Sequence, residues 1–306
     1  MLSVALIASS LALSGLAFPL PGVDRFLVGT HVNDGGRLLS RAEQCTIKQP
    51  SCQNTTTVED MCCFEHPGGL LMQTQFWDSE PANGPEDSWT IHGLWPDKCD
   101  GGYEESCDPA RSYDDISAIL NDHGAKDTLD FMSQFWLDNK GDNEKFWKHE
   151  WNKHGTCMST LEPTCLPNGD VKGADAVVYF QTTVKLFQGL PTHKWLADGG
   201  IKPSDNATYT RDEIVGALKK SSGGATPELG CKSGRLNHIG WYFNVKGSVL
   251  SGDFLAVDTP DNKQGSCPEN GIRYPPKGSK AGESAAAGRP RKPKKPRKKN
   301  SVEIEE

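Results

Sequence analysis

Two short segments carry the residue types that acid–base chemistry needs. The first is Trp89-Thr-Ile-His-Gly-Leu-Trp-Pro-Asp97, in which His92 precedes a glycine, a flat apolar pair and a carboxylate. Trp95 offers a face to stack on, and Asp97 offers an acceptor for an amino or ring N–H. An unpaired nucleobase is recognised by that combination. The second is Phe146-Trp-Lys-His-Glu-Trp-Asn-Lys-His154. On a helix His149 and Lys153 stand four apart, as do Glu150 and His154, so the four are expected on one broad face. Two imidazoles, a carboxylate and an ammonium gathered there suit phosphoryl transfer. A base takes the attacking hydroxyl proton, an acid protonates the leaving oxygen, and cations stabilise charge on the transition state.

Each segment also has a bland reading. His92 alone reads as a core histidine beside structural tryptophans, and the helix reads as a solvated face with two salt bridges. The second reading accounts for the charges but not for two histidines flanked by Trp147 and Trp151. A zinc-protease pattern needs histidines four apart with a glutamate after the first. Here the spacing is five, about 140° around an ideal helix, so His149 and His154 are not expected to share a metal ion.

The elements that must position these residues can be read from periodicity. Strands are expected at 70–77, 88–94 and 239–245, the last with a partner at 254–257 across the glycine-rich 247–252 stretch. Helices are expected at 113–121, 127–138, 142–154, 174–188 and 211–219. Asp142 or Asn143 caps the third and Gly155 ends it. Strands and helices do not alternate regularly, which predicts an α+β domain, a central antiparallel sheet flanked by helices, rather than a doubly wound sheet.

With 306 residues the chain can bury a sizeable core. Residues 1–17 are small and apolar, and Gly15 and Ala17 fit a cleavage site, so a signal peptide is expected. Residues 18–44 read as a lead-in or propeptide, 45–275 as the domain, and 276–306 as a disordered basic tail that cannot bury a core. No other segment is apolar enough to cross a bilayer. Ten cysteines all follow residue 44, which predicts five disulfides in an exported protein. Glycosylation sequons begin at Asn54 and Asn206. The net charge is −7; residues 277–306 hold ten Lys/Arg and four Glu, leaving −13 on the remainder. An acidic body is unusual for a nucleic-acid binder and points to work at low pH, where carboxylates are partly protonated. The tail reads either as an electrostatic tether for RNA or as a soluble extension that is trimmed away; nuclear import conflicts with a signal peptide.

His-Gly-Leu-Trp-Pro-Asp (92–97) and Lys-His-Glu-Trp-Asn-Lys-His-Gly-Thr-Cys (148–157) closely resemble the two active-site segments of the ribonuclease T2 family, particularly its secreted fungal members. The resemblance covers about residues 45–275. It implies metal-independent cleavage of single-stranded RNA through a 2′,3′-cyclic phosphate, with no cofactor, low base specificity and an acidic optimum. It assigns His154 as general base, His92 as general acid, Glu150 and Lys153 as groups that polarise the phosphate, and His149 as a phosphate-binding residue. It places Trp95, Asp97 and Tyr103 at the first base site, and Phe146 and Gln75 at the second. The implied disulfides are Cys45–Cys63, Cys52–Cys99, Cys62–Cys165, Cys107–Cys157 and Cys231–Cys267, with Cys99 and Cys157 bracing the ends of the two segments. A secreted monomer is expected, with the vacuole as the alternative destination. The competing readings are a noncatalytic binding protein on the same scaffold, which a missing histidine would signal, and a metal-dependent hydrolase using His149 and Glu150.

Overall fold

Leu70–Phe76 (β1) runs between two antiparallel partners, Thr90–Asp97 (β2) on one side and Arg235–Lys246 (β5) on the other. The computed structural model describes residues 45, 49–53, 58, 60–250 and 252–279. The sheet continues through Thr208–Tyr209 (β3) and Ile272–Arg273 (β7) in the order β2-β1-β5-β7-β3. Glu228–Lys232 (β4) and Asp253–Val257 (β6) pair with successive halves of the long β5. The named strands pair antiparallel except β7 with β5, which meet in parallel at Arg235 and Arg273. Helices Ile116–Asp122 (α1), Lys126–Phe135 (α2), Asn143–Lys153 (α3), Ala174–Gln188 (α4), Thr192–Asp198 (α5) and Arg211–Ser221 (α6) complete the α+β domain.

Alternation along β1 divides its side chains between two environments. Leu71 joins the main core with Ile91, Leu94, Ile239 and Trp241, while Leu70 and Met72 form a separate cluster with Tyr242 that Trp95 packs against. The main core is filled by α4, whose Val177, Val178, Tyr179 and Phe180 are buried. Each such side chain contributes about 1.5–3 kcal/mol on burial. The buried Tyr179 hydroxyl donates to the Leu94 carbonyl at 3.2 Å and lies 3.4 Å from the Leu94 N–H. A polar tip left unpaired there would be costly, so this bond locks α4 to the strand that carries His92.

Element boundaries differ from the sequence expectation where a local device overrides periodicity. β2 starts later than expected and runs on to Asp97, because Pro96 lies on an edge strand where a missing N–H is tolerated. α1 starts at Ile116 because Asp115 caps it by accepting from the Ala118 N–H. β4 is absent from the expectation. It joins β5 through Ser233-Gly234, both at positive φ, and a register shift at Gly230/Cys231 breaks its alternation. α5 and the two-residue strands β3 and β7 are too short to leave a periodic signal. No helix among the described residues is long and apolar enough to cross a membrane.

The five disulfides are Cys45–Cys63, Cys52–Cys99, Cys62–Cys165, Cys107–Cys157 and Cys231–Cys267, the pairs the resemblance implies. The expected domain end at 275 needs correction. Lys277 is buried, its Nζ donates to the carbonyls of Asn83 and Ser88, and it stands 4.7 Å over the Trp77 ring. Burial pushes its ammonium down to about 8, and these contacts tie Pro276–Ser279 into the domain. Residues 1–44, the Asn54 sequon and residues 280–306 lie outside the described residues; Asn206 is exposed just before β3.

Candidate active site

His92 is brought into place by an irregularity in the sheet. Opposite β1, Thr74 pairs with Gly93 and Gln75 pairs with Ile91, so His92 is the extra residue of a β-bulge. In an unbroken strand His92 and Trp95 would face opposite ways. The bulge re-aims His92 so that its ring meets Trp95 edge-on with centroids 4.8 Å apart. Thr74 secures the distortion: its Oγ1 accepts from the Gly93 N–H at 3.1 Å and donates to the Gly93 carbonyl at 3.3 Å. The sequence gives no hint of this role for Thr74.

The partner segment is α3. Asp142 caps it by accepting from the Lys145 N–H. Trp147 and Trp151 anchor its inner face by donating to the Trp136 and Arg111 carbonyls. Arg111, buried and paired with Asp108, Glu162 and Asp175, also holds the Thr156 carbonyl just past the helix. Lys153 is the last helical residue, His154 is the C-cap, and Gly155 follows because a Cβ there would lie 2.2 Å from Trp151 Cε3.

Between the two segments lies Glu150, which is 0% exposed. Its Oε2 accepts from Trp95 Nε1 at 2.9 Å and its Oε1 stands 3.4 Å from His92 Nε2. Burial raises its carboxyl, but the charges of His92 and His154 and the Trp95 N–H outweigh this and hold it below the usual glutamate value. His154 is buried and stacks on Trp95 at 4.8 Å. Burial lowers its imidazole to about 4, with Lys153, His92 and His149 acting the same way against Glu150. Burial therefore favours the neutral form of His154.

The other expected residues divide. Phe146 stands 5.6 Å from the His92 ring. Lys153 is partly exposed with its Nζ 3.3 Å from Glu105 Oε2, and His149 is exposed beyond it. Of the four groups of α3, Glu150 and His154 are buried while Lys153 and His149 reach solvent, and the His149 and His154 rings meet edge-on at 6.4 Å. Asp97 is only 2% exposed, and its Oδ2 accepts from Lys263 Nζ at 2.7 Å. Burial raises the Asp97 carboxyl despite Lys263. Tyr103 is 61% exposed, and no ring contact joins it to Trp95 among the described residues. Gln75 does not reach the site. It is fully buried on the helix-packed face of β1, where its Nε2 donates to Gln73 and to the Leu190 carbonyl.

His149 and His154 stand closer together than helical spacing predicts. One donor atom from each of His149, Glu150 and His154 lies within 4.8 Å of the others. A continuing helix would set the two histidines about 140° apart, whereas His154 sits at the C-cap with φ −113° and ψ −48°. One neighbour of His92 is new. Phe76 stacks on its ring, and Phe76 is in turn met edge-on by His238 of β5. Period-two alternation from Met72 could have found Phe76; Lys263, 166 residues from Asp97, left no local signal.

Residues 68–252 match the model of the ribonuclease T2 family. Ribonuclease Le2 of Lentinula edodes is 51% identical over 225 residues, spanning 73% of this chain and 93% of that protein. Ribonuclease T2 of Aspergillus oryzae is 47% identical over 236 residues, spanning 77% of this chain and 84% of that protein. Among solved structures, that of Actibind, a T2 ribonuclease, superposes with a TM-score of 0.72 at 44% identity, covering 75% of this chain and 95% of that one.

Proposed function

Because this chain belongs to the ribonuclease T2 family and is a T2-type endoribonuclease acting on RNA, we propose that it cuts single-stranded RNA by acid–base transphosphorylation between His154 and His92. One observation carries the assignment of roles: both imidazoles face Glu150, but His154 is the more deeply buried and its desolvation outweighs the carboxylate. His154, desolvated and neutral above about pH 4, is the base that takes the ribose 2′-OH proton. His92, with Nε2 3.4 Å from a buried carboxylate, has a partner for its imidazolium and is the acid.

The 2′-oxygen attacks phosphorus, the bond to the 5′-oxygen breaks, and that oxygen leaves with the proton from His92. The products are a 2′,3′-cyclic phosphate and a 5′-hydroxyl. Lys153 and His149 supply positive charge to the phosphorane. Glu150, engaged with Trp95 and His92, orients both rings more than it polarises the phosphate. Trp95 and Asp97 form the first base site and Phe146 lines the second; stacking accepts any base, so base specificity is low. The optimum is acidic because His92 must stay protonated. No metal ion or cofactor takes part. The enzyme acts as an exported monomer, secreted or vacuolar; five disulfides suit an oxidising compartment.

Cleavage of dinucleoside monophosphates across pH, in the presence of a chelator, tests this reading. The expected result is a cyclic phosphate product. The donors of His149, Glu150 and His154 within 4.8 Å favour one competing reading, a metal-dependent hydrolase. Loss of activity on chelation, with recovery on adding zinc, would establish it instead.

A further inference from the structure

We propose that Phe76, which no motif singles out, is a positioning residue that fixes the His92 ring and stabilises its protonated form through its aromatic face. The proposal rests on His92 being the acid. Phe76 and His92 stack with ring centroids 4.1 Å apart and an interplanar angle of 29°. Phe146, tilted 40° at 5.6 Å, and Trp95, edge-on at 4.8 Å, close two further sides. His92 thus stands in a box of three aromatic rings, and its Nδ1 is buried without a hydrogen-bond partner among the described residues. No hydrogen bond from that nitrogen fixes the ring plane, so packing must do so.

A cation against the face of a benzene ring is attracted by the ring quadrupole, while a neutral imidazole gains much less. Phe76 therefore favours the form of His92 that donates a proton. Its own placement is fixed by the sheet. It ends β1 opposite Thr90 on one side and His238 on the other. His238 meets it at 6.0 Å, and burial lowers the His238 imidazole to about 3, leaving it neutral behind the Phe76 ring. The titratable groups facing His92 are Glu150 of α3, His154 at the end of α3, Asp78 just after β1, and His238 of β5. Glu150 and Asp78 favour the imidazolium and a charged His154 opposes it. Phe76 adds attraction without a charge that could itself titrate.

The test is the pH dependence of kcat/KM on a dinucleoside monophosphate for Phe76→Leu and Phe76→Tyr, with melting curves alongside. Leucine keeps bulk and removes the quadrupole; tyrosine keeps the ring. The alkaline limb, which reports loss of the acid's proton, is expected to move to lower pH by roughly half a unit in Phe76→Leu and to stay in place in Phe76→Tyr. A uniform loss of rate in Phe76→Leu with the limb unmoved overturns the proposal and leaves Phe76 a packing residue. If Phe76→Leu does not fold, pentafluorophenylalanine at position 76 keeps the shape and inverts the quadrupole. The same downward shift is then expected, and its absence overturns the proposal. His92→Ala separates the two levels. Full activity in that variant removes the acid assignment itself, whereas abolished activity with an unmoved Phe76→Leu limb removes only the role of Phe76.

Discussion

Gly93 lies so close to Glu150 that a Cβ on it would stand 2.1 Å from Glu150 Oε2, and 2.9 Å from Trp95 Nε1. Its hydrogen leaves room for the carboxylate to be buried between the two active-site segments. Gly93→Ala is expected to expel Glu150 from its contact with Trp95 and displace His92. Overpacking of this kind costs about 1–3 kcal/mol, and kcat is expected to fall about a hundredfold or more. A thermal melt and a rate at one pH suffice; an alanine variant with wild-type kcat would show that Glu150 need not sit there.

The low value at His154 has a sign that stability can report. Its folded value, about 4, lies below the unfolded value of 6.5. Above pH 6.5 the imidazole is neutral in both states and the native contribution is full. As pH falls from 6.5 toward 4 the unfolded chain binds the proton first, and stability drops by on the order of 3 kcal/mol. Melting of the wild type and of His154→Asn is expected to differ in slope across that window. Parallel curves would mean that His154 titrates alike in both states.

Catalysis by the same residue predicts the acidic limb of the rate profile. A base that stays neutral down to about pH 4 places that limb near 4, well below that of an ordinary histidine. His154→Asn should lower kcat by about 10²–10⁴ while leaving dinucleotide binding largely intact. An acidic limb near 6.5 in the wild type would contradict the buried setting.

Glu150→Gln keeps an acceptor for Trp95 Nε1 but removes the charge 3.4 Å from His92 Nε2. Turnover is expected to fall at least tenfold, with KM changing less than kcat, because the lost interaction belongs to the protonated acid. Equal changes in both parameters would instead assign Glu150 to substrate binding.

Lys263→Met leaves the Asp97 carboxylate buried without its partner. The expected cost is about 2 kcal/mol, less than for a fully buried pair because the Lys263 side chain keeps 25% of its surface exposed. Burial then favours protonation of Asp97, converting an acceptor into a donor at the base site. The ratio of cleavage rates among adenine, guanine, cytosine and uracil dinucleotides is expected to change, and an unchanged ratio would place Asp97 outside base recognition.

Much of this protein could be read without coordinates, because the information was local. His92 beside Trp95-Pro96-Asp97, and Glu150 four residues before His154, pointed to the chemistry proposed above. The bounds of α4 follow from an apolar run, and the cap at Asp142 from residue type. What depended on contacts between distant segments was out of reach. Alternation read along β2 sets His92 and Trp95 on opposite faces, and only the bulge, a property of its pairing with β1, unites them. Helical angles separate His149 from His154, but the chain has already left the helix at His154. Gln75 looked like a site residue and turns into the core; Phe76 and Lys263 looked like nothing and touch His92 and Asp97. Residue type and short-range spacing are written in the chain, and they were enough to propose which groups do the chemistry. How deeply each histidine is buried beside Glu150 emerges only on folding, because burial and charge proximity belong to the packed molecule and not to any one segment.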